Sequence, residues 1–146
     1  MADKLEIYRG ALRLLGPHEI ASLAENRPER LKLDEAWAPA VTYMLEKGLW
    51  NFAIRTMKVS ANVGASYGLN IAAWPQRFAK ALEAYLAFEC GLPITDDRGN
   101  RNDLYTLHQK RLADAKILDA VDERVRYKPA GRVVRARFSG RNGRDG

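Results

Sequence analysis

The sequence predicts an all-α fold, a small bundle of three or four main helices with one long loop and an extended basic C-terminal arm. Apolar residues recur at three- and four-residue steps in several stretches, the spacing that places them on one side of a helix. Glycine and proline separate these stretches. Positive charge is concentrated at the end of the chain. With 47% apolar residues among 146, the chain can bury the core of one domain.

The first predicted helix begins after Asp3. This residue is a suitable N-cap, and Glu6, three residues on, would complete a capping box. Gly16, which precedes a proline, predicts the end of the helix, with the glycine in the left-handed αL conformation. Beyond the helix, Ile20 and Leu23 are predicted to cover the end of the core.

The second predicted helix has Asn26 as its candidate cap and Pro28 in its first turn. The helix is expected to stop at Gly48. Pro39 lies inside it and predicts a kink or a local break, because proline donates no backbone hydrogen bond and its ring crowds the preceding turn.

Between the second and third helices the helical periodicity is lost. Residues 49–53 form a compact aromatic cluster, and residues 55–60 alternate weakly, as in a short strand. Residues 60–73 are rich in small residues and turn formers and predict the long loop.

The third predicted helix opens at Pro75 and shows the clearest helical spacing in the chain. Gly91 and Pro93 are predicted to close it. Residues 95–102 predict a polar connection, and Asp103 is a suitable cap for a fourth helix.

The net charge of the chain differs before and after residue 122. Residues 1–122, the predicted helical body, carry 16 Lys or Arg and 16 Asp or Glu. Residues 123–146, the predicted arm, carry 8 basic and 2 acidic residues, so the whole net charge of +6 lies there. Val134, Ala136 and Phe138 alternate with arginines in this arm, the pattern of an extended strand.

Three interpretations fit the basic composition of the arm: a solvated disordered tail, an arm that binds nucleic-acid phosphates, and an arm that orders on a protein partner. Arginine outnumbers lysine seven to one, and arginine suits carboxylates and phosphates alike. The apolar alternation favours the protein partner, because phosphate binding requires no apolar face.

No catalytic, cofactor or metal site is predicted, and the chain is expected not to be an enzyme. His18 lacks the second histidine of a zinc-binding helix, and both His18 and His108 are interpreted as surface histidines. The acidic residues of 96–103 lack the spacing of a calcium loop and predict a solvated turn. Cys90 is interpreted as a buried small hydrophobe.

The three tryptophans differ in their expected roles. Trp37 stands at helical spacing with Val41 and is predicted to pack in the core. Trp50 and Trp74 flank the loop region, where core packing and a role as interface anchors both remain open.

Targeting signals are not recognised in the sequence. No apolar run approaches the roughly 18 residues of a membrane span. The N-terminal residues lack the apolar region of a signal peptide, so synthesis in a cytosol without membrane insertion is expected.

Four segments, in this order along the chain, carry a resemblance to a known family: ALRLLG at 11–16, EIASLAENRPER at 19–30, GLWNFA at 48–53 and AWPQRFAKALEAYLAFE at 73–89. Together they resemble the head-to-tail connector (adaptor) proteins of tailed bacteriophages, most closely the tail-tubular-protein-A-like adaptors beneath the portal. The resemblance covers roughly residues 5–122.

The resemblance implies a structural protein of the virion, made in the host cytoplasm and located at the head–tail junction. It implies a homo-oligomeric ring, commonly a dodecamer, that docks on the portal protein, receives a downstream tail or nozzle protein, and passes DNA through its lumen without sequence-specific binding. The C-terminal segment of the family embraces portal subunits, a role that falls here on the arm. The expected portal-binding residues are Arg124, Arg126, Tyr127, Lys128, Arg132, Val134, Arg135, Arg137, Phe138 and Arg141.

One segment departs from the family pattern. Many relatives carry a longer, β-rich insertion before the third helix, where this chain has only about twenty residues. The loop is the candidate for the tail-side contact, through Val63, Tyr67, Leu69 and Asn70. The alternative function is a small nucleic-acid-binding protein that uses the basic arm on phosphates.

Overall fold

The computed structural model describes residues 2–16, 19–53 and 71–121, and the regular structure within these ranges is entirely helical. Its elements are α1 (Lys4–Leu15), α2 (Pro28–Glu46), a 3₁₀ turn (Ile71–Ala73), α3 (Gln76–Thr95) and α4 (Asn100–Val121), with a further helical turn at 51–53. The predicted helical bundle is confirmed. The predicted strand at 55–60, most of the loop and the arm lie outside the described residues.

Helix α3 is the centre of the bundle, and α1, α2 and α4 all pack against it. Four alanines of α3 are fully or almost fully buried, and their small side chains let the neighbouring helices approach closely: Ala79, Ala81, Ala84 and Ala87. Larger side chains fill the space between the helices, among them Tyr8, Leu12, Leu33, Met44, Phe78, Leu82 and Leu86.

Both ends of α1 were located correctly, but their chemistry differs from the prediction. Asp3 occupies the N-cap position with an extended backbone, yet its side chain makes no capping hydrogen bond. The predicted capping box is therefore wrong, and the side chains of Asp3 and Glu6 are both exposed to solvent. Gly16 ends the helix at φ 129° and ψ −156°, a region that favours glycine but is not the predicted αL.

Helix α2 begins one residue later than predicted. Its N-cap is Arg27, whose extended backbone is the conformation that a following proline favours, and Pro28 is the first helical residue. The helix then continues through Pro39 to Glu46, so the predicted local break is wrong, while the kink, its predicted alternative, stays a prediction. Pro39 is exposed, so its ring lies on the solvent side, away from the core packing. Lys47, one residue before the expected glycine, takes the C-cap.

Helix α3 extends past both residues that were predicted to close it. Gly91 is buried where α3 approaches Leu15 of α1 and Leu104 of α4, so packing holds it within the helix. The helix ends at Thr95, and Asp96 takes the C-cap in the αL conformation at φ 52°.

The connection to α4 is consequently shorter than predicted, and α4 begins at Asn100. Asp103 therefore lies in the first turn rather than at the cap. In the connection, the backbone N–H of Gly99 donates to the carboxylate of Asp97 at 2.8 Å.

Polar contacts fix α1 against α2. The Asp34 carboxylate accepts hydrogen bonds from the Tyr8 hydroxyl at 2.6 Å, Lys4 Nζ at 3.0 Å and Arg30 Nη1 at 2.5 Å. Burial acts to raise the pKa of Asp34, but these hydrogen bonds and the charges of Lys4 and Arg30 outweigh it and hold that pKa below its ordinary value.

The segment between α1 and α2 is held by Arg9, which donates to the carbonyl oxygens of Ile20 and Ala21 at 2.9 Å each. Ile20 is buried as predicted. Leu23 is 37% exposed, so its predicted place over the core is wrong.

Candidate functional site

The two segments predicted to contact partners lie outside the described residues. These are the loop with Val63, Tyr67, Leu69 and Asn70, and the arm after residue 122. The structure does describe the residues that border them: Ala53 and Ile71 on either side of the loop segment, and Val121 at the end of α4.

Residues that lead into both segments meet at one end of the bundle. The Asp119 carboxylate of α4 accepts a hydrogen bond from the backbone N–H of Asn51 at 2.7 Å. The side-chain amide of Asn51 also donates to the Asp119 carbonyl oxygen at 2.7 Å. These two hydrogen bonds, both donated by Asn51, join the turn at 51–53 to the last turn of α4. The loop segment and the arm therefore depart from neighbouring points, and we call this region the exit end.

An aromatic cluster beneath the exit end positions its backbone. Phe78, in the first turn of α3, has ring centroids of Trp50 and Phe52 at 4.9 Å each and of Trp74 at 5.2 Å, all edge to face. The indole N–H of Trp50 donates to the Met44 carbonyl oxygen at 2.8 Å and so joins the end of α2 to the cluster. Edge-to-face rings contribute energy beyond the area that they bury.

The cluster decides the open question about the tryptophans. Trp50 and Trp74 are 3% and 7% exposed, so both are core residues in the monomer. Trp37 is only half-buried, but it packs on the core as predicted, with its ring stacked 6.1 Å from Trp74 and edge-on to Tyr8 at 5.5 Å. Cys90 is buried, as predicted.

The surface of the exit end combines exposed apolar and basic side chains. Leu49 is 92% exposed, Ile117 62% and Val121 73%. Two shallow grooves open beside them, one of about 260 Å³ between the start of α3 and the end of α4, and one of about 510 Å³ beside Leu49. Such a concentration of exposed apolar residues is typical of an interaction surface.

The charges around these grooves are predominantly basic. Lys47, Arg77 and Lys116 line the grooves and are exposed. Asp119, which lines both grooves, is engaged by Asn51. The exit end can therefore bind a surface that offers apolar side chains and carboxylates.

The sequence analysis missed two buried polar residues, and one of them is a correction. His108, interpreted as a surface histidine, is fully buried among the rings of Tyr43, Tyr85 and Tyr105. Its Nδ1 lies 3.2 Å from the Ala81 carbonyl oxygen, whereas Nε2 has no hydrogen-bond partner among the described residues. The helical spacing of Leu104, His108, Leu112 and Ala115 was the signal that could have placed it on the buried side of α4.

Glu83 is the second missed residue. It is 5% exposed on the side of α3 that faces Gly10 of α1, and Lys80 Nζ contacts its two carboxylate oxygens at 3.1 and 3.0 Å. Burial raises the pKa of Glu83, although Lys80 and the more distant Arg111 and Arg13 act to lower it. The paired carboxylate of Glu83 therefore lies in the contact between α1 and α3.

His108 predicts a pH dependence of stability. Burial lowers the pKa of His108 below its ordinary 6.5, opposed by the Ala81 carbonyl and assisted by the charge of Lys47. As the pH falls, the unfolded chain therefore binds a proton at His108 before the folded protein does. The stability that depends on neutral His108 is complete above pH 6.5 and is lost as the pH falls below it.

We expect the difference in unfolding free energy between wild type and His108→Phe to change by up to about 1.4 kcal/mol per pH unit below pH 6.5, with wild type losing stability. Urea unfolding at pH 7 and pH 5 measures this change. His18 is present in both proteins, so its titration cancels in the comparison. Parallel pH profiles for the two proteins would contradict the prediction.

Two searches of the described residues give negative findings. In residues 2–16, 19–53 and 71–121, no three His, Cys, Asp or Glu side chains group closely enough to hold a metal ion. None of the helices described is both long and apolar enough to cross a membrane. Comparisons with protein-family models, with curated proteins and with solved structures gave no match.

Proposed function

We propose that this protein is a structural subunit of a tailed-phage particle, a ring-forming head-to-tail adaptor and not an enzyme. In this proposal the arm binds the portal protein, the body forms the ring through which DNA passes, and the loop contacts a downstream tail or nozzle protein. The observation that carries the proposal is the exit end, where the chain leads from the helical body into the two proposed partner-binding segments beside exposed apolar residues.

The packing of the helical body supports these separate roles for the arm, the body and the loop. The segments on which the family resemblance rests contact one another: Trp50 and Phe52 of GLWNFA pack on Phe78 of the following helix. Asn51 of the same segment is bonded to α4, the helix that carries the arm. The arm therefore continues from α4, a helix that is held in the core.

The proposed mechanism is multivalent assembly. A 24-residue arm reaches at most about 80 Å when extended, enough to cross a neighbouring subunit. Ordering such an arm costs conformational entropy, so one arm alone binds weakly. Several arms in one ring bind together, because the first contact raises the effective concentration of the rest.

Deletion of residues 123–146 is expected to abolish docking on an isolated portal ring while the helical content of the body is retained. Electron microscopy of the mixture at low and high salt measures docking, and far-UV circular dichroism checks the body. A truncated protein that still docks normally would show that the arm is not the portal-binding element.

A matched variant separates portal docking from nucleic-acid binding, which the arginine-rich arm also favours as a candidate function. Val134→Ser combined with Phe138→Ser retains every charge of the arm and removes most of its apolar alternation. For an adaptor, this variant loses portal docking. For a nucleic-acid-binding protein, the variant keeps its DNA affinity, and that affinity falls steeply as salt is added. Salt-sensitive DNA binding without any portal association would replace the adaptor proposal with this alternative.

A further inference from the structure

Helix α4 is apolar on two opposite sides. The side facing α3 is buried and includes Leu104, Leu112 and Ala115. Six further apolar residues of α4 are exposed, Tyr105 and Leu118 among them, and the other four make up what we call the outer α4 face: Ala113, Ile117, Ala120 and Val121. At 3.6 residues per turn, these four fall within a sector of about 100° that points away from α3. A helix on the surface of a monomer normally presents polar residues there.

Two lysines lie next to the outer α4 face. Lys110 is exposed in the same sector about one turn before Ala113, Lys116 is exposed to one side of the sector, and neither forms an ion pair with the described part of the chain. Asp114, at the margin next to Lys110, is the one carboxylate close to the face among the described residues. The surface is therefore apolar with a positive excess, and the basic arm follows directly after it.

Helix α2 presents a surface of the opposite charge. Leu31, Glu35, Ala38 and Thr42 follow one another at four-, three- and four-residue steps and are all exposed, Leu31 at 45%. We call them the outer α2 face, and Glu46 continues it by one turn. The Thr42 hydroxyl donates to the Ala38 carbonyl oxygen at 3.0 Å, so it is satisfied within the helix.

We infer that the outer α4 face of one copy packs against the outer α2 face of a second copy. This contact places the lysines beside α4 near Glu35 and Glu46, and it covers Ile117 and Val121 with the apolar residues of α2. Contacts between two identical faces would bring lysine to lysine or glutamate to glutamate, which is unfavourable.

The contact uses a different surface on each copy, so every subunit keeps one free face. Repetition of such a head-to-tail contact generates a ring when the rotation closes. The inference thus deepens the proposed function, on which the closed ring rests, by naming the surfaces that join its subunits. Each face is small beside the roughly 800 Å² per partner of a stable interface, so a single contact is weak until the ring closes.

Disulfide trapping of two separately made full-length variants tests this inference. Ala38→Cys places a thiol on the outer α2 face, and Ala113→Cys places one on the outer α4 face. Under mild oxidation the mixture is expected to yield a covalent heterodimer, while each variant alone is expected to form no covalent dimer, because the facing surface carries no thiol. Native Cys90 stays out of the exchange because it is buried, and burial raises its pKa to about 11.

The control replaces Ala38→Cys by Ser22→Cys, an exposed position in the α1–α2 connection. Trapping of the Ala38/Ala113 pair should exceed trapping of the Ser22/Ala113 pair several-fold. A chain that carries both Ala38→Cys and Ala113→Cys should give a ladder of oligomers rather than dimers alone. Equal trapping of the two pairs, or Ala113 homodimers as the main product, would overturn the inference.

The experiment distinguishes this inference from the function on which it rests. Rings that dock on the portal without trapping between Ala38 and Ala113 would refute the named surfaces and leave the adaptor function standing. Specific trapping in a protein that fails to dock on the portal would establish the contact and refute the adaptor function.

Discussion

Gly10→Ala is expected to destabilise the protein by about 2–3 kcal/mol. A Cβ atom at position 10 would lie 2.2 Å from Glu83 Cδ and 2.4 and 2.5 Å from its carboxylate oxygens. Glu83 is 5% exposed and its carboxylate is held by Lys80, so moving it aside disturbs those contacts or the packing of α1 on α3. Either response costs more free energy than the gain of about 1 kcal/mol that alanine brings to a helix.

Gly91→Ala is the matched control, since both glycines are buried within helices. A Cβ atom there would lie 3.2 Å from Leu15 Cδ2 and 3.6 Å from Leu104 Cδ1. These atoms are the ends of flexible apolar side chains, which can shift by a few tenths of an ångström. We expect the unfolding free energy of Gly91→Ala to stay within about 1 kcal/mol of wild type.

A double-mutant cycle with Glu83→Ala assigns the effect of Gly10→Ala to its cause. In the Glu83→Ala background the obstructing carboxylate is absent, so Gly10→Ala should become neutral or stabilising. Urea unfolding of the four proteins gives the coupling energy. An equal cost of Gly10→Ala in both backgrounds would show that the close approach to Glu83 is not responsible.

The existence of the four helices could be predicted from the sequence because each has an apolar side at helical spacing. The residues at which the helices end were harder to predict from the sequence. Gly91 and Pro93 are helix breakers by local preference, yet α3 passes through both because Gly91 packs against residues of α1 and α4. Local sequence does not report such contacts, since the contacting residues are distant along the chain.

The buried polar residues show the same limit. His108 stands in register with Leu104 and Leu112, so its burial was visible in the spacing. Its aromatic surroundings were not visible, because Tyr43 and Tyr85 reach it from two other helices. The exit end likewise could not be predicted from the sequence, since it depends on the contact of Asn51 with Asp119, 68 residues later.

The exit end itself is tested by Trp50→Ala, which is expected to cost about 3–5 kcal/mol of unfolding free energy. Trp50 is 3% exposed, its ring packs on Phe52 and Phe78, and its indole N–H donates to Met44. Alanine leaves a cavity where the ends of α2, α3 and α4 come together. Chemical denaturation measures the loss.

Trp50→Phe keeps one aromatic ring and removes the indole donor together with the volume of the second ring. Its cost should lie below that of Trp50→Ala and include about 1–2 kcal/mol for leaving the buried Met44 carbonyl oxygen without this partner. Trp37→Ala is the second control: Trp37 is half-buried, so its removal exposes less new surface. If Trp50→Ala cost no more than Trp37→Ala, Trp50 would not be the residue that holds the exit end.

Stability at the exit end bears directly on docking. Deletion of the arm removes the portal-binding residues and leaves the aromatic cluster intact, so it should abolish docking with little loss of stability. Trp50→Ala keeps the arm and weakens its anchor, so docking should fall together with the stability of the body and recover under conditions that restore folding. Full docking by a Trp50→Ala protein with a strongly destabilised body would mean that the arm acts independently of the helices from which it departs.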